Sequence, residues 1–217
     1  MAFNNHKPLA FSLEMKNQQL IQRVISNISN ITLNKIKSKN LSDNEKQHLI
    51  IKMKEHTKKM NFRISDKNYS YNSIKKIIIK EKNERGVDVV LIDFLQLIEI
   101  NNKKSKNDAY GEVTRNLKEL AKELDILIII LSQLSRSVEM RADKKPILSD
   151  LRDSGEIEAN VDTAIFLYRD EYYNENSDAK NLMEVIVRKQ RQGGVGTAFL
   201  FYEMETQKIR DLTNETR

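Results

Sequence analysis

The sequence predicts an α/β fold: a mostly parallel sheet flanked by helices, with an antiparallel β-hairpin near the C-terminus. Short apolar, β-branched runs alternate with longer segments whose apolar residues recur every three or four positions. The run at 87–98 is apolar throughout, as in parallel strands that are covered on both faces. Only two prolines and six glycines interrupt 217 residues, so we expect one domain made mostly of regular structure.

The first half of the chain is expected to contain two strands and three helices. Ser42 followed by Glu45 is a capping-box signal that predicts a helix start. Gly86 is expected to end another helix. The expected elements are a strand at 8–14, a helix at Gln18 to Ile28, a helix from Ser42 to about Met60, a strand at 61–65 and a helix at Ser73 to Arg85.

The second half is expected to be richer in strands. A polar loop at 101–108 leads to a helix at Tyr110–Leu124. The last two strands are joined by the glycine turn RQGGVG, which predicts the hairpin. The expected strands lie at 87–98, 126–133, 161–168, 183–190 and 197–202.

Composition excludes several classes of protein. There is no cysteine, which rules out disulfides and thiolate metal sites and is compatible with the cytoplasm, where we expect the protein. The apolar stretches are too short to span a bilayer, so no membrane role is expected. The N-terminus lacks the pattern of a secretory signal. Three scattered histidines in polar contexts are interpreted as solvated side chains.

The charge is uneven along the chain. The net charge is +6, and residues 33–85 hold 15 Lys and Arg against 6 Asp and Glu. This excess could mark a nucleic-acid-binding surface or the solvated faces of lysine-rich helices. The second interpretation is favoured because few aromatic or arginine side chains lie among these lysines.

Polar side chains follow several of the predicted strands. Glu14 follows AFSL, Asp93 follows VVLI, and Ser132 and Gln133 follow IIIL. Ligands of open α/β sheets bind at the carboxyl ends of the strands, so these side chains are expected to gather along one edge. That edge is the predicted active site.

The residue types at this edge suit phosphoryl transfer from a nucleotide. That reaction needs a carboxylate near Mg²⁺, a group that positions water, and donors for the developing charge. Asp93 fits the first role and Glu14 the second. Each residue alone is a weak signal, since an acid after a strand is often only a strand end or a helix cap.

Four blocks of sequence give the chain a close resemblance to one family. They are FSLEM (11–15), VVLIDFLQLI (89–98), LSQLSRSVEMRADKKPILSDLRDSGEIEANVD (131–162) and RKQRQGGVGT (188–197). In this order and spacing they resemble the motifs of the DnaB-type replicative DNA helicases, whose C-terminal domain is a RecA-like ATPase. The resemblance covers nearly the whole chain, and the third block is the most specific.

The resemblance implies a role for each matching residue. Glu14 corresponds to the glutamate that activates water, Asp93 to the Walker B aspartate that holds Mg²⁺ through water, and Gln133 to the glutamine that senses the γ-phosphate. The implied contacts with single-stranded DNA phosphates come from Arg152, Asp153 and Gly155, although the family often has Glu in place of Asp153. Lys189 and Arg191 correspond to the pair that reaches the nucleotide of the neighbouring subunit.

The sequence around Lys189 and Arg191 supports their implied contact with a neighbouring nucleotide only in part. At a period of two, positions 189 and 191 of a strand point the same way, and a guanidinium beside a glycine turn suits a phosphate. An exposed hairpin with solubilising basic residues explains the same pattern, and Arg152 to Gly155 could be an ordinary turn near a helix capped by Asp150.

The string GxxxxGK[ST], which cradles phosphates in such motors, does not occur in the sequence. We therefore expect residues 1–217 to be a single ATPase domain truncated before the Walker A loop, without the first strand, collar domain and linker of the family. Poor nucleotide affinity by itself and an exposed apolar groove are also expected.

The resemblance implies an ATP- and Mg²⁺-dependent helicase, with a homohexameric ring moving 5′ to 3′ on single-stranded DNA. Primase and a helicase loader are implied partners. The alternatives are a non-catalytic remnant or split-gene fragment that binds DNA or assembles into rings, and another RecA-like ATPase.

Overall fold

The computed structural model describes residues 6–57, 62–67, 69–100, 104–151 and 154–212. In that part of the chain the strands are β1 (Pro8–Ser12), β2 (Arg63–Ser65), β3 (Val89–Asp93), β4 (Leu127–Ile130), β5 (Thr163–Tyr168), β6 (Leu182–Gln190), β7 (Gly196–Glu203) and β8 (Lys208–Asp211). The helices are α1 (Asn17–Ser29), α2 (Leu33–Ser38), α3 (Asp43–Thr57), α4 (Tyr71–Arg85), α5 (Lys106–Leu124) and α6 (Ser154–Asn160).

The chain divides into two compact units. The first unit contains the residues up to Leu20, Thr57–Ser135 and Leu151–Val161, and therefore β1–β4 and α4–α6. The second unit contains Ile21–His56, Arg136–Asp150 and the residues from Asp162 onward, with β5–β8.

The first unit is built on a parallel sheet with strand order β2-β1-β3-β4. All five residues of β1 are buried, as expected for a strand covered on both faces. Two helices supply apolar side chains at helical spacing to the same core, Ile74 and Ile78 from α4 and Leu117 and Leu120 from α5. The predicted α/β fold with a parallel sheet is confirmed.

Helix α6 packs closely on α5. A Cβ built on Gly111 of α5 would overlap the side chain of Glu156 in α6. The Asn160 amide donates to the Gly111 carbonyl at 3.0 Å. The absence of a side chain at position 111 therefore lets α6 approach, which holds the segment that begins at Ser154.

The helix ends agree with the sequence signals in two places and differ in a third. The Ser42 hydroxyl accepts from the Glu45 N–H, and the Glu45 carboxylate accepts from the Ser42 N–H, so the capping box is confirmed. Gly86 ends α4 at φ 69°. Helix α5 begins before Tyr110, at Lys106, because the Ser105 hydroxyl caps its first turn.

Strand β3 is shorter than the apolar run that predicted it. It ends at Asp93, and Leu95–Leu97 form a 3₁₀ turn instead of continuing to 98. The N–H of Leu95 donates to the carbonyl of Leu131 at 2.9 Å, so the chain stays attached to the residues after β4 while it turns. Leu95 and Ile98 are buried by this turn, which is why the run resembled a long strand.

The second unit is built on an antiparallel sheet with strand order β5-β6-β7-β8. The predicted hairpin of β6 and β7 is confirmed, and β5 pairs antiparallel with β6. Strand β8 (KIRD) and helix α2 (LNKIKS) were not predicted, since neither is a distinct apolar run.

A polar clamp holds the loop that precedes residue 151. The Arg141 guanidinium donates two hydrogen bonds of 2.8 Å to the carboxylate of Asp150, which is buried. Asp150 also accepts from the N–H of Ile147 at 2.8 Å. Asp150 therefore closes its own loop. None of the helices in the described part of the chain is long and apolar enough to cross a bilayer.

Candidate functional site

The carboxyl ends of β1, β3 and β4 lie side by side at one edge of the parallel sheet. Ser12 pairs with Asp93, and Ile92 pairs with Ile130. Backbone bonds extend the pairing past the strand ends, because Leu13 N–H donates to the Asp93 carbonyl at 2.7 Å and Leu131 N–H to that of Ile92 at 2.9 Å. The polar residues at or just after the ends of these strands therefore emerge at a common edge, as expected from the parallel order; they are Glu14, Asp93, Ser132 and Gln133.

Glu14 lies in a tight turn that is held on both sides. The Ser12 hydroxyl donates to the Met15 carbonyl at 2.7 Å. The N–H of Asn17, where α1 begins, donates to the Asp66 carboxylate at 2.9 Å. The Glu14 side chain is exposed, so its carboxylate can meet a bound molecule from solvent.

Asp93 is the last residue of β3 and is partly buried. The core begins directly beneath it, since Ile92 is inaccessible and Phe94 is buried. A carboxylate at this position stands at the boundary between a dry core and the open edge, where its charge is screened less than on a flat surface.

Gln96 connects the segments that follow β3 and β4, a contact that the sequence did not predict. Its side-chain amide donates to the Ser132 hydroxyl at 2.9 Å, and its side-chain carbonyl accepts from the Gln133 N–H at 3.1 Å. A glutamine inside the apolar run DFLQLI, three residues after an acid, was the available signal.

Arg152 and Asp153 lie outside the described residues. Of the DNA contacts that the resemblance implies, the structure places Gly155, which is exposed in the first turn of α6. A Cβ on Gly155 would meet nothing within 4 Å, so packing does not require glycine there. Leu151 forms an antiparallel bridge with Leu134, so the segment entering position 152 is attached to the residue after Gln133.

Lys189 and Arg191 belong to the second unit. The expectation that both lie in one strand holds for Lys189 only, since β6 ends at Gln190. The Arg191 N–H still donates to the Asp162 carbonyl at 2.9 Å, and its guanidinium lies 3.2 Å from the Asp162 carboxylate. The side chains of Arg191 and Asp162 are both more than half exposed, so this ion pair contributes little to stability.

A cluster of tyrosines lies near the end of β5. Tyr168 stacks on Tyr173 at 5.8 Å, and Tyr172 meets Tyr173 edge-on at 5.0 Å. Burial, together with a hydrogen bond to Asp170, raises the pKa of Tyr168 to about 12, so its hydroxyl stays protonated. Tyr172 and Tyr173 are exposed at the surface.

The edge of the parallel sheet carries some of the groups that Mg²⁺ and a nucleotide need, but not all of them. Carboxylate oxygens of the kind that Mg²⁺ prefers are present at Glu14 and Asp93, and a hydroxyl and an amide are present at Ser132 and Gln133. The N–H groups of a GxxxxGK[ST] loop are not among the 217 residues. In the part of the chain that the structure describes, there is no group of three or more His, Asp or Glu side chains able to hold a metal by themselves.

Comparison with known proteins gives consistent results. The family model of the DnaB-like helicase C-terminal domain matches residues 1–211. The replicative DNA helicase DnaB of Geobacillus stearothermophilus is 38% identical over 210 residues, which are 96% of this chain and 46% of that protein. The replicative DNA helicase DnaC of Bacillus subtilis (strain 168) is 37% identical over 204 residues, 93% of this chain and 45% of that protein.

Solved structures match over almost the whole chain. A DnaB-like replicative helicase, whose structure was described with its interactions with primase, superposes with a TM-score of 0.91 at 38% identity, covering 98% of this chain and 52% of that one. A second solved structure, that of an ATPase domain, superposes with a TM-score of 0.90 at 38% identity, covering 97% of this chain and 76% of that one. The chain thus spans less than half the length of the curated relatives that it matches. From the match to residues 1–211 and these identities, the chain belongs to the family of the DnaB-like helicase C-terminal domain.

Proposed function

We propose that this chain is the motor of an ATP-driven replicative DNA helicase, which couples ATP hydrolysis to 5′ to 3′ movement along single-stranded DNA and to duplex unwinding. The observation that carries the proposal is the register of β1, β3 and β4, which brings Glu14, Asp93 and Gln133 to one edge of the sheet. Membership of the helicase family supports it.

The three residues are assigned complementary tasks in hydrolysis. Glu14, exposed in its turn, takes a proton from the attacking water as a general base. Asp93 is the residue that would hold Mg²⁺, which would supply positive charge to neutralise the phosphate oxygens. Gln133 contacts the γ-phosphate, and its neighbour Leu134 connects that contact to Leu151, which directly precedes Arg152.

Assembly supplies the remaining parts of the motor. We infer a homohexameric ring in which Lys189 and Arg191 reach the nucleotide held by the next subunit. The exposed position of Arg191 beside the β6–β7 turn supports this assignment, since a surface ion pair with Asp162 can be exchanged for a phosphate at little cost.

Single-stranded DNA is proposed to lie against Arg152, Asp153 and Gly155, in a replication complex that includes a primase and a helicase loader in the cytoplasm. The exposed Gly155 supports close approach of a DNA backbone. Residues 1–217 are proposed to work as one RecA-like ATPase domain together with a phosphate-binding segment, a collar domain and a linker; the family match to residues 1–211 supports this.

The test uses the chain preceded by a strand–GxxxxGK[ST]–helix segment. We expect ATP hydrolysis that single-stranded DNA stimulates, and unwinding of a forked duplex. Glu14→Gln should lower turnover by about 10²–10⁴-fold while nucleotide binding is retained, because only proton abstraction is lost. Glu123→Gln, on the exposed surface of α5, is the matched control and should leave turnover unchanged.

The DNA contact is tested with the same chain. Arg152→Ala should weaken binding about equally for all sequences and reduce the salt dependence of binding by the equivalent of about one phosphate contact. A correctly folded chain that hydrolyses no ATP in the presence of DNA, or a Glu14→Gln variant with normal turnover, would overturn the proposed function.

A further inference from the structure

The Gln96 side chain makes two hydrogen bonds to the residues that follow β4. Its side-chain carbonyl accepts from the Gln133 N–H at 3.1 Å, and its side-chain amide donates to the Ser132 hydroxyl at 2.9 Å. A backbone N–H can only donate, so the orientation of the carboxamide is fixed by its partners. Both ends of one neutral side chain are therefore committed to two consecutive residues.

Gln96 is itself firmly held. Its backbone carbonyl accepts from the Tyr110 hydroxyl at 2.9 Å, and Tyr110 is buried on α5. The preceding residue, Leu95, is fully buried and donates its N–H to Leu131 at 2.9 Å. The glutamine thus projects from a turn that is anchored both to helix α5 and to the segment that follows β4.

This contact lies beyond the point where the sheet stops. The last paired residues of β3 and β4 are Ile92 and Ile130, so the ladder does not reach Gln133. Gln96 lies three residues after Asp93 and supplies the acceptor that a neighbouring strand would have supplied. The next residue, Leu134, bridges to Leu151, which directly precedes Arg152.

We propose that Gln96 is a positioning residue that holds Gln133 in a fixed relation to Asp93. It thereby couples the edge of the parallel sheet, where the nucleotide is proposed to bind, to Leu134 and Leu151, which precede the proposed DNA contact at Arg152. The proposal rests on the proposed function, because the roles of Gln133 and Arg152 are taken from it. Gln96 itself contacts neither nucleotide nor DNA, and acts through Gln133 and Leu134. Loss of the contact leaves Asp93 and Glu14 in place and frees the segment from Ser132 to Leu134.

The contact is tested first on the full chain by hydrogen exchange at the Gln133 backbone amide. Gln96→Met keeps the length of the side chain and removes both hydrogen bonds, so exchange at Gln133 should accelerate by about five- to tenfold. Gln96→Glu keeps an acceptor for that N–H and should restore slow exchange. Gln47→Met, on an exposed position of α3, is the matched control and should change nothing at Gln133.

The coupling is tested in the chain preceded by a phosphate-binding segment. Gln96→Met should reduce the ratio of DNA-stimulated to basal ATP hydrolysis by about tenfold, with a much smaller change in the basal rate. Unchanged exchange at Gln133 overturns the contact, and faster exchange with an unchanged ratio overturns the coupling. If the unsubstituted chain shows no DNA-stimulated hydrolysis, the proposed function fails and the coupling fails with it, while the exchange result still decides whether the contact exists.

Discussion

The parallel and antiparallel sheets bury their strands in different ways. Strand β1 is buried at all five positions, whereas β5 alternates between buried and exposed side chains, with Leu167 61% exposed. A strand covered on both faces leaves room for polar side chains only at its ends, while a strand with one open face carries them along its length, as β6 does at Glu184 and Lys189. A polar residue in a strand of the first sheet therefore points to function, whereas a polar residue in a strand of the second sheet can simply face solvent.

This difference gives the two units different proposed roles, which a mixing experiment can separate. Glu14 from the first unit should act on the nucleotide that its own subunit holds, and Arg191 from the second on the nucleotide of a neighbour. In the chain preceded by a phosphate-binding segment, Glu14→Gln and Arg191→Ala should each lower hydrolysis by about 10²–10⁴-fold. A mixture of the two variants should recover part of the activity, because some interfaces combine an intact Glu14 with an intact Arg191.

The control for this experiment is each variant assembled with itself, which should remain inactive. If the mixture is no more active than its components, Arg191 acts within its own subunit and the proposed assignment is wrong. Steady-state ATP hydrolysis at several mixing ratios provides the measurement.

Neighbouring positions within a strand should respond differently to truncation in the two sheets. In β5, Phe166→Ala should cost about 3–5 kcal/mol and Leu167→Ala less than about 1 kcal/mol, because Phe166 is buried and Leu167 is not. In β3, Val89→Ala and Val90→Ala should each cost about 1–3 kcal/mol, since both are buried. Chemical denaturation of the four variants measures these differences, and a strong alternation between Val89 and Val90 would contradict the covered parallel sheet.

The second unit, whose sheet has an open face, should depend strongly on its polar clamp. Asp150→Ala leaves the Arg141 guanidinium without its carboxylate, and we expect a loss of about 3 kcal/mol, since Asp150 is buried and Arg141 is partly exposed. Asp178→Ala, on an exposed loop, is the control. Hydrogen exchange should rise first in residues 136–150, and an equal rise throughout the parallel sheet would argue against a local clamp.

The sequence predicted most strongly what hydrophobic runs and single capping residues determine. The strands at Pro8–Ser12 and Val89–Asp93 followed from apolar runs that the fold buries on both faces. Leu127–Ile130 also followed from an apolar run, although it is only partly buried and Leu127 is 52% exposed. Strand β8 was not predicted because its residues are stabilised by pairing with β7 and carry no apolar pattern of their own. Gln96 was missed because its importance depends on partners 36 and 37 residues away, which only the folded chain brings into contact.

The smallest predicted effect concerns pH and the capping box of α3. A hydrogen bond from Lys35, with a further one from the Ser42 N–H, lowers the pKa of Glu45 from 4.5 to about 2. Because the pKa is lower in the folded chain than in the unfolded chain, Glu45 stabilises the fold fully above pH 4.5, and this contribution disappears as the pH falls towards 2.

The variant Glu45→Gln tests this effect. It preserves the capping box, since glutamine also serves at that position, but removes the titrating carboxylate. The difference in melting temperature between the unsubstituted chain and Glu45→Gln should be constant above pH 4.5 and shrink steadily below it, by only a small amount because the pair is at the surface. A difference that stays constant down to the lowest pH at which the chain is folded would show that the ion pair with Lys35 does not lower the pKa of Glu45 in solution.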